Sequence, residues 1–529
     1  MKRILLCTLA IILFASCGTD LTNTETSYDN LESDSQNTNN KTNELDKKDP
    51  KLISISFLSK DNPTQLVENV NGEIINDSIV EFWVKNIMSN KLLVPHFNYI
   101  GENLTIDNTP AVSDETKIDF KTPVKLTISN QEKTKEYIIY VHSFTGLPVL
   151  WIETEGRAEI ISKDEYINAH LKIVEDVHTR SAGNITETDV KIKGRGNSTW
   201  GMPKKPYALK FNKKTSLLDE PEDKSWVLLA NYADKTSLRN QTAFYMGSIS
   251  NLEYTPRFHF VDLMLNGAYN GTYQLGEKIK ISINRVNVGD DGFLLEIDSK
   301  AGDDEPTFQT KHQGCIGIHN GQPINIKEPD VVVDDENYNY IKNYVITAEN
   351  ALFSDNFKDP EEGWQKYMDM DSFVDWFLIN EIAKNNDACF FSSCYMHLKR
   401  GEKLKMGPIW DFDIAFGNIN YLGNYLPEGF WIKNVIWYSR LFEDPAFVAK
   451  VKERFNYFYL RKNDIMNEIN ANAQYLKFST QENNNKWHTF YTYTWPNYDI
   501  WGSYQNEVQS MKEWLDTRFE WLKAEFDKM

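Results

Sequence analysis

Two hydrophobic rhythms divide this chain, and their order limits its fold. Up to about residue 300, apolar side chains alternate with polar ones in short runs, the period of a half-buried strand. From about residue 336 they recur every three or four positions, the period of an amphipathic helix. The last such stripe is Val508, Met511, Leu515, Phe519, Leu522 and Phe526, expected to pack on the body. Strands followed by helices, instead of strands alternating with them, point to an α+β chain. At 529 residues one core is not enough, and two or three domains are expected.

The borders between these domains follow composition. Residues 1–17 read as an export segment: Met1-Lys2-Arg3 is basic, Ile4 to Phe14 is apolar but too short to span a bilayer, and Ala15-Ser16-Cys17-Gly18 resembles a bacterial lipobox. Cys17 is the candidate lipidation site, which implies membrane attachment through an N-terminal lipid. Residues 18–50 are polar with almost nothing to bury, a disordered tether. Residues 51–145 hold short alternating runs, among them Ser54–Leu58, Val80–Val84, and a hairpin of Val124–Ile128 with Tyr137–Val141. Their spacing suggests an immunoglobulin-like β-sandwich. A second domain opens near residue 146 and runs to 425, with a helical part over 426–529. The net charge of −19 argues against a nucleic-acid partner. Outside the export segment only Cys315, Cys389 and Cys394 remain, room for one disulfide and no framework.

Two polar stations interrupt the helical half. Phe373–Ile382 is strongly apolar and ends at Lys384-Asn385-Asn386-Asp387. Two strands follow, Ser393–Leu398 and Leu404–Trp410, joined at Arg400-Gly401-Glu402 and ending in Asp411-Phe412-Asp413. Asp387 and Asp411 stand twenty-four residues apart. Paired carboxylates so placed suit phosphoryl transfer, where one takes the proton of an attacking hydroxyl and the other holds Mg2+ against nucleotide phosphates.

The strand half carries a glycine segment, Lys193-Gly194-Arg195-Gly196-Asn197-Ser198-Thr199-Trp200, between strand-like Asp189–Lys193 and Lys205–Phe211. Glycines that join strand to strand exclude a Rossmann or P-loop site, which needs a helix N-terminus after the loop. Such a unit can instead fold over nucleotide phosphates. Tyr207, Leu209 and Phe211 share one face of the second strand, leaving Ala208 and Lys210 on the other. Lys210 is the candidate phosphate contact there, with Arg195, Lys204 and Lys205 competing. Asp234 is placed to cap a helix carrying Arg239 and Asn240. Phe258–Asn266 and Gly271–Ile279 form a hairpin with an Asn266-Gly267 turn, and Glu277 could pair with a phosphate-binding lysine or touch the nucleotide.

Taken in order over 150–425, these motifs strongly resemble the CotH family, named for spore coat protein H. They are Gly194–Trp200, Lys205–Phe211, Asp234–Asn240, Tyr273–Glu277 and Trp410–Gly417. The resemblance implies an atypical protein-kinase-like fold and phosphate transfer from Mg-ATP to Ser or Thr of a partner protein. It makes Asp387 the catalytic acid/base, Asp411 the Mg2+ ligand and Asp413 its support, with Arg195, Lys210 and Glu277 toward the nucleotide. The helix after Asp234 carries no Glu to pair with a strand lysine. The lipobox, the tether and the sandwich spacer, independently of the resemblance, point to a lipoprotein of the cell envelope, on the outer membrane of a Gram-negative bacterium, where ATP is scarce. Its acceptor is an unidentified protein. Two other functions suit the same residues. One is a surface binding module, an adhesin or a glycan or protein receptor, served by aromatics such as Trp431, Trp437, Trp495 and Trp501. The other keeps the nucleotide site and transfers AMP.

Overall fold

Runs of Val, Ile, Thr and Tyr build most of the described residues between 51 and 297 into sheets, and most of the helices follow. A computed structural model describes residues 49–66, 68–85, 91–175, 185–302, 304–312 and 321–529. The export segment, Cys17, the tether up to residue 48 and Cys315 lie outside the described residues. The chain is a mixed α+β protein.

Between residues 51 and 144, a six-stranded and a three-stranded sheet enclose one apolar core. Leu52, Phe57, Val80, Phe82, Leu126 and Ile139 are buried in it. The expected hairpin is present: Val124–Ser129 pairs antiparallel with Thr134–Phe144, Val124 opposite Ile139. The longer strand also pairs, in parallel, with Ile79–Lys85.

The next seven strands close into a barrel: Val149–Thr154 (β1), Ile167–Val174 (β2), Ile185–Gly194 (β3), Tyr207–Thr215 (β4), Asp223–Leu229 (β5), Phe258–Leu265 (β6) and Ala268–Glu277 (β7). Their order is β1-β2-β3-β4-β5-β7-β6, and β6 returns parallel to β1 with Val149 opposite Asp262. Closure leaves no sheet edge exposed. Leu150, Leu171, Ile192, Leu209, Phe211 and Trp226 fill the interior. Asn266 and Gly267 both have positive φ, 51° and 79°, the geometry a two-residue hairpin turn requires.

A five-stranded sheet and eight α-helices make up most of the rest of the described residues. The strands are Phe293–Ile297 (β8), Thr307–Gln309 (β9), Pro323–Glu328 (β10), Cys394–Leu398 (β11) and Lys405–Met406 (β12), ordered β9-β10-β8-β11-β12. Within this sheet the run Leu404–Trp410 pairs over β12, while Leu404 bridges Met368 outside it. Gly407, at φ 112°, then turns the chain out of the sheet. The helices are Arg239–Ser248 (α1), Glu336–Leu352 (α2), Met370–Ala383 (α3), Ile436–Leu441 (α4), Pro445–Leu460 (α5), Lys462–Tyr475 (α6), Lys477–Trp487 (α7) and Tyr504–Asp527 (α8). Every residue of α3 from Ser372 to Ala383 is buried, as expected of a helix apolar on all sides. One core runs from Leu147 to Phe526 and takes in the whole predicted stripe of α8. The last hundred residues therefore share the core of the sheet they follow. No helix among the described residues is long and apolar enough to cross a membrane. Cys394 is a buried free thiol, and Cys389 is disulfide-bonded.

Asp234 differs from its sequence assignment. Leu238 occupies the N-cap position of α1. Asp234 lies further upstream and its carboxylate accepts from the Arg239 N–H at 2.9 Å and the Arg239 guanidinium at 2.5 Å. It satisfies the first turn from a loop, not from the capping position.

Two fully buried charges tie α8 to α3. The Arg518 guanidinium donates to the Glu381 carboxylate at 2.6 Å, to the Glu381 carbonyl, and to the carbonyls of Pro427 and Gly429. Glu381 also accepts the N–H groups of Trp431 and Lys433, both at 2.8 Å. Removing one member of such a pair leaves an uncompensated buried charge. Arg518→Met is expected to destabilise the protein by about 3–5 kcal/mol in denaturant titrations. A loss below about 1 kcal/mol, the scale of an exposed pair, would show that this clamp does not hold α8.

Candidate active site

The C-terminus of α3 delivers the first acidic station. Lys384 takes a left-handed conformation, φ 46°, and ends the helix. Its ammonium donates to the carbonyls of Gly423, Leu426 and Glu428, and burial pushes its pKa down to about 8. Behind this turn the chain is fixed residue by residue. The Asn385 amide donates to Asn380 at 3.1 Å and to the Asp411 carbonyl at 3.3 Å. The Asn386 amide donates to the Asp387 carboxylate at 3.0 Å and to the Tyr421 hydroxyl at 3.3 Å. Trp431 anchors the Asn386 carbonyl at 2.9 Å.

The second station follows β12. Asp411 sits at φ 65°, a conformation that costs a non-glycine residue roughly 1–2 kcal/mol and persists where its surroundings over-determine it. Those surroundings are visible. The Phe412 N–H donates to the buried Asn240 side chain at 2.8 Å. Arg239 donates to the Ala415 carbonyl at 3.1 Å, and the Phe416 N–H to the Ala383 carbonyl at 2.8 Å. The first turn of α1 and the end of α3 thus grip the same loop.

Both stations open onto one cleft of about 820 Å³. The glycine segment Arg195–Thr199 lines it together with Asp387, Asp411 and Asp413 and with Glu296, Asp298 and Lys300. Gly194 has no side chain because the Trp200 ring packs there: an added Cβ would lie 2.4 Å from it. Gly196 requires φ 86°. A smaller pocket of about 250 Å³ shares Arg195, Lys327, Tyr395 and Trp410 with the cleft. It adds Lys193, Lys278 and Glu328, and the rings of Tyr166 and Trp226.

The acidic side of the cleft is short of positive charge. Burial and then the neighbouring Asp387 raise the Asp411 pKa, against Arg195, Lys300 and a 3.4 Å hydrogen bond from Ser393. Asp413 is pushed well above the usual range by burial, Asp411, Asp234 and Asp387, with only Arg239 opposing. Glu296 is lifted to about 7 by burial, although Lys327 stands 3.7 Å away. Clustered hard oxygen donors with unmet negative charge suit a hard divalent cation. Among the described residues no group of three or more His, Cys, Asp or Glu closes into a metal cage. A cation held by one or two carboxylates takes its other ligands from water and phosphate oxygens.

The structure brings together Asp387, Asp411, Asp413 and Arg195. Arg195 lies over the Trp410 ring at 5.5 Å. Lys210 and Glu277 are not brought there. Lys210 points outward from the barrel, its ammonium 5.9 Å over the Tyr166 ring. The Glu277 carboxylate is bound by Arg257 at 2.6 and 2.9 Å and by Tyr254 at 3.0 Å. Lys204 is buried with its ammonium on the Thr272 carbonyl, and Lys205 donates to the Trp200 carbonyl at 2.6 Å. Sequence reasoning missed Glu296, Asp298, Lys300, Lys278 and Lys327. The one available signal was the polar run Glu296-Ile297-Asp298-Ser299-Lys300 at the end of an apolar strand, the same pattern that marked Asp387.

A family model described as CotH kinase protein matches residues 192–522. No curated protein matches the chain. A crystal structure from Bacteroides thetaiotaomicron, described provisionally as a glycoside hydrolase, is similar at 12% identity over 55% of this chain and 87% of that one, with a TM-score of 0.15. That likeness is too low to carry an argument.

The charge imbalance has a measurable consequence. Asp413→Asn removes a carboxylate whose neighbours repel it. The metal-free variant is expected to be more stable than the wild type by about 0.5–2 kcal/mol, the usual gain when a strained functional site is relaxed. It is also expected to lose stabilisation by added Mg2+. Thermal unfolding in chelator and in Mg2+ checks both, and a destabilised metal-free variant would contradict the repulsion.

Proposed function

This chain belongs to the CotH kinase protein family, and on that premise we propose that it is an exported, Mg-ATP-dependent atypical protein kinase. It transfers the γ-phosphate to a Ser or Thr hydroxyl of an envelope or extracellular protein. In this reading the barrel, the five-stranded sheet and the helices form a kinase-like domain behind an immunoglobulin-like sandwich. Export and lipid attachment at Cys17 belong to the proposal and rest on residues 1–18 alone.

The observation that carries the reading is the convergence of Asp387, Asp411 and Asp413 on one cleft beneath the glycine segment. Asp387 is assigned the proton of the acceptor hydroxyl, its carboxylate oriented by Asn386. The acceptor oxygen bonds the γ-phosphorus, the bond to the β–γ bridging oxygen breaks, and ADP leaves with that oxygen. Asp411 and Asp413 are the residues that would hold Mg2+, which neutralises phosphate oxygens when bound. Arg195 and Lys300 are the charges facing Asp411, placed for phosphate contact. Lys278 and Lys327 line the adjoining pocket with Tyr166, Tyr395 and Trp410, which suits a flat, apolar base followed by anionic phosphates.

Intact-mass spectrometry after incubation with Mg-ATP and a Ser/Thr-rich acceptor tests this directly. Wild type is expected to add a phosphate. Asp387→Ala is expected to keep nucleotide affinity and lose about 10²–10⁴-fold in rate. Asp411→Ala is expected to weaken Mg-nucleotide binding itself. Wild-type rates in both variants would refute the assignment, and an AMP-sized gain would replace phosphate transfer with nucleotidyl transfer at the same residues.

A further inference from the structure

Large rings stand open to solvent beside the cleft, where they cost hydration free energy and fill no core. They come from two segments that face each other. Tyr421 stacks on Trp495 with centroids 5.9 Å apart and planes 15° apart. Tyr425 stacks on Tyr498 at 4.6 Å and 8°. Asn420 holds the Tyr493 hydroxyl at 2.5 Å. Trp495 is 64% exposed and Tyr491 69%. The ridge is continuous with the acidic site: Tyr421 and Trp495 line the cleft, and one Asn386 amide bridges the Tyr421 hydroxyl and the Asp387 carboxylate.

We propose that this ridge seats the acceptor, and that the acceptor is a polypeptide segment carrying a proline or aromatic side chain beside its hydroxyl. The inference rests on the kinase reading of the cleft and names the partner of that site. Stacked rings present flat apolar faces at fixed spacing, with little rotamer freedom left to lose on binding. Such faces take up rings on a partner chain. Two further observations favour a polypeptide over a sugar. Leu422 and Leu426 are exposed between the rings and offer nothing to the hydroxyl edge of a pyranose, whereas they bury against apolar side chains. The segments 420–431 and 489–503 contain the carboxylates Glu428 and Asp499 and no lysine or arginine. An acidic glycan or an acidic peptide is therefore repelled. The Tyr421 hydroxyl, raised to about 12 by burial and by Asp387, stays protonated as a neutral rim group.

Fluorescence anisotropy on the full chain provides the test. The probes are two labelled serine peptides of equal length, one with Pro and Trp flanking the serine and one with Gly at those places, and a labelled neutral hexasaccharide. The ring-flanked peptide is expected to bind about tenfold tighter than the glycine peptide, the scale of one or two ring contacts. Trp495→Ala and Tyr498→Ala are each expected to erase most of that difference. Equal binding of the two peptides, an undiminished preference in both variants, or tighter binding of the hexasaccharide would overturn the proposal. Mg-ATP affinity measured on the same samples separates the two claims. Nucleotide binding without a ring preference defeats the ridge alone, and a ring preference without nucleotide binding defeats the kinase reading alone.

Discussion

Three carboxylates held in one cleft repel each other, and much of the surrounding structure is explained by the need to hold them there. Beyond the effect of burial, Asp387 raises the proton affinity of Asp411, and Asp411 and Asp387 raise that of Asp413. A flexible chain would relieve that repulsion by moving apart. Here neither station can move. The Asp387 loop is bound at Lys384, Asn385 and Asn386, and α3 beneath it is locked to α8 by Glu381 and Arg518. The Asp411 loop is bound by Asn240 and Arg239. Arg239 is itself held by Asp234, so a buried ion pair of the barrel-side helix supports the acidic loop of the other half. In the proposed reading, a cation bound at these carboxylates would offset this repulsion.

The cleft draws on both halves of the chain, and this explains which parts of it were legible in the sequence. Asp387 and Asp411 could be found because each ends a strongly apolar run. Such a run must be buried, so the polar residue at its end is delivered to a fixed place. The glycine segment was readable from its strand–loop–strand context. Lys210 illustrates the limit. Strand alternation tells inside from outside, and it correctly put Tyr207, Leu209 and Phe211 in the core. In a closed barrel, however, only one sector of the outside looks onto the cleft. Ala208 lies in that sector and lines the pocket, whereas Lys210, two positions on, stands exposed.

Other misses differ in origin. Glu277 ends β7, and its partner Arg257 lies directly across the β6–β7 hairpin, one residue before Phe258, which pairs with Gly276. Lys278 and Lys327 reach one pocket from different sheets. Asp234 was read as the cap itself, and the difference is local: its partners Thr236 and Arg239 lie close in sequence, but Asp234 reaches them from a loop ahead of the capping residue Leu238. Pairings set by tertiary closure leave no periodic trace. The aromatic tail divides on the same ground: Trp437 is fully buried in the shared core, whereas Trp495 stands on the rim.

The central claim is that Asp411 and Asp413 hold a divalent cation against a nucleotide lying under the glycine segment. A crystal grown with Mn2+ and a non-hydrolysable ATP analogue, with anomalous difference maps to locate the metal, tests it most directly. The account predicts a metal peak at these two carboxylates, the γ-phosphate toward Asp387, and the base among Tyr166, Tyr395 and Trp410. A metal peak away from the three aspartates, or a nucleotide bound outside this cleft, would contradict it.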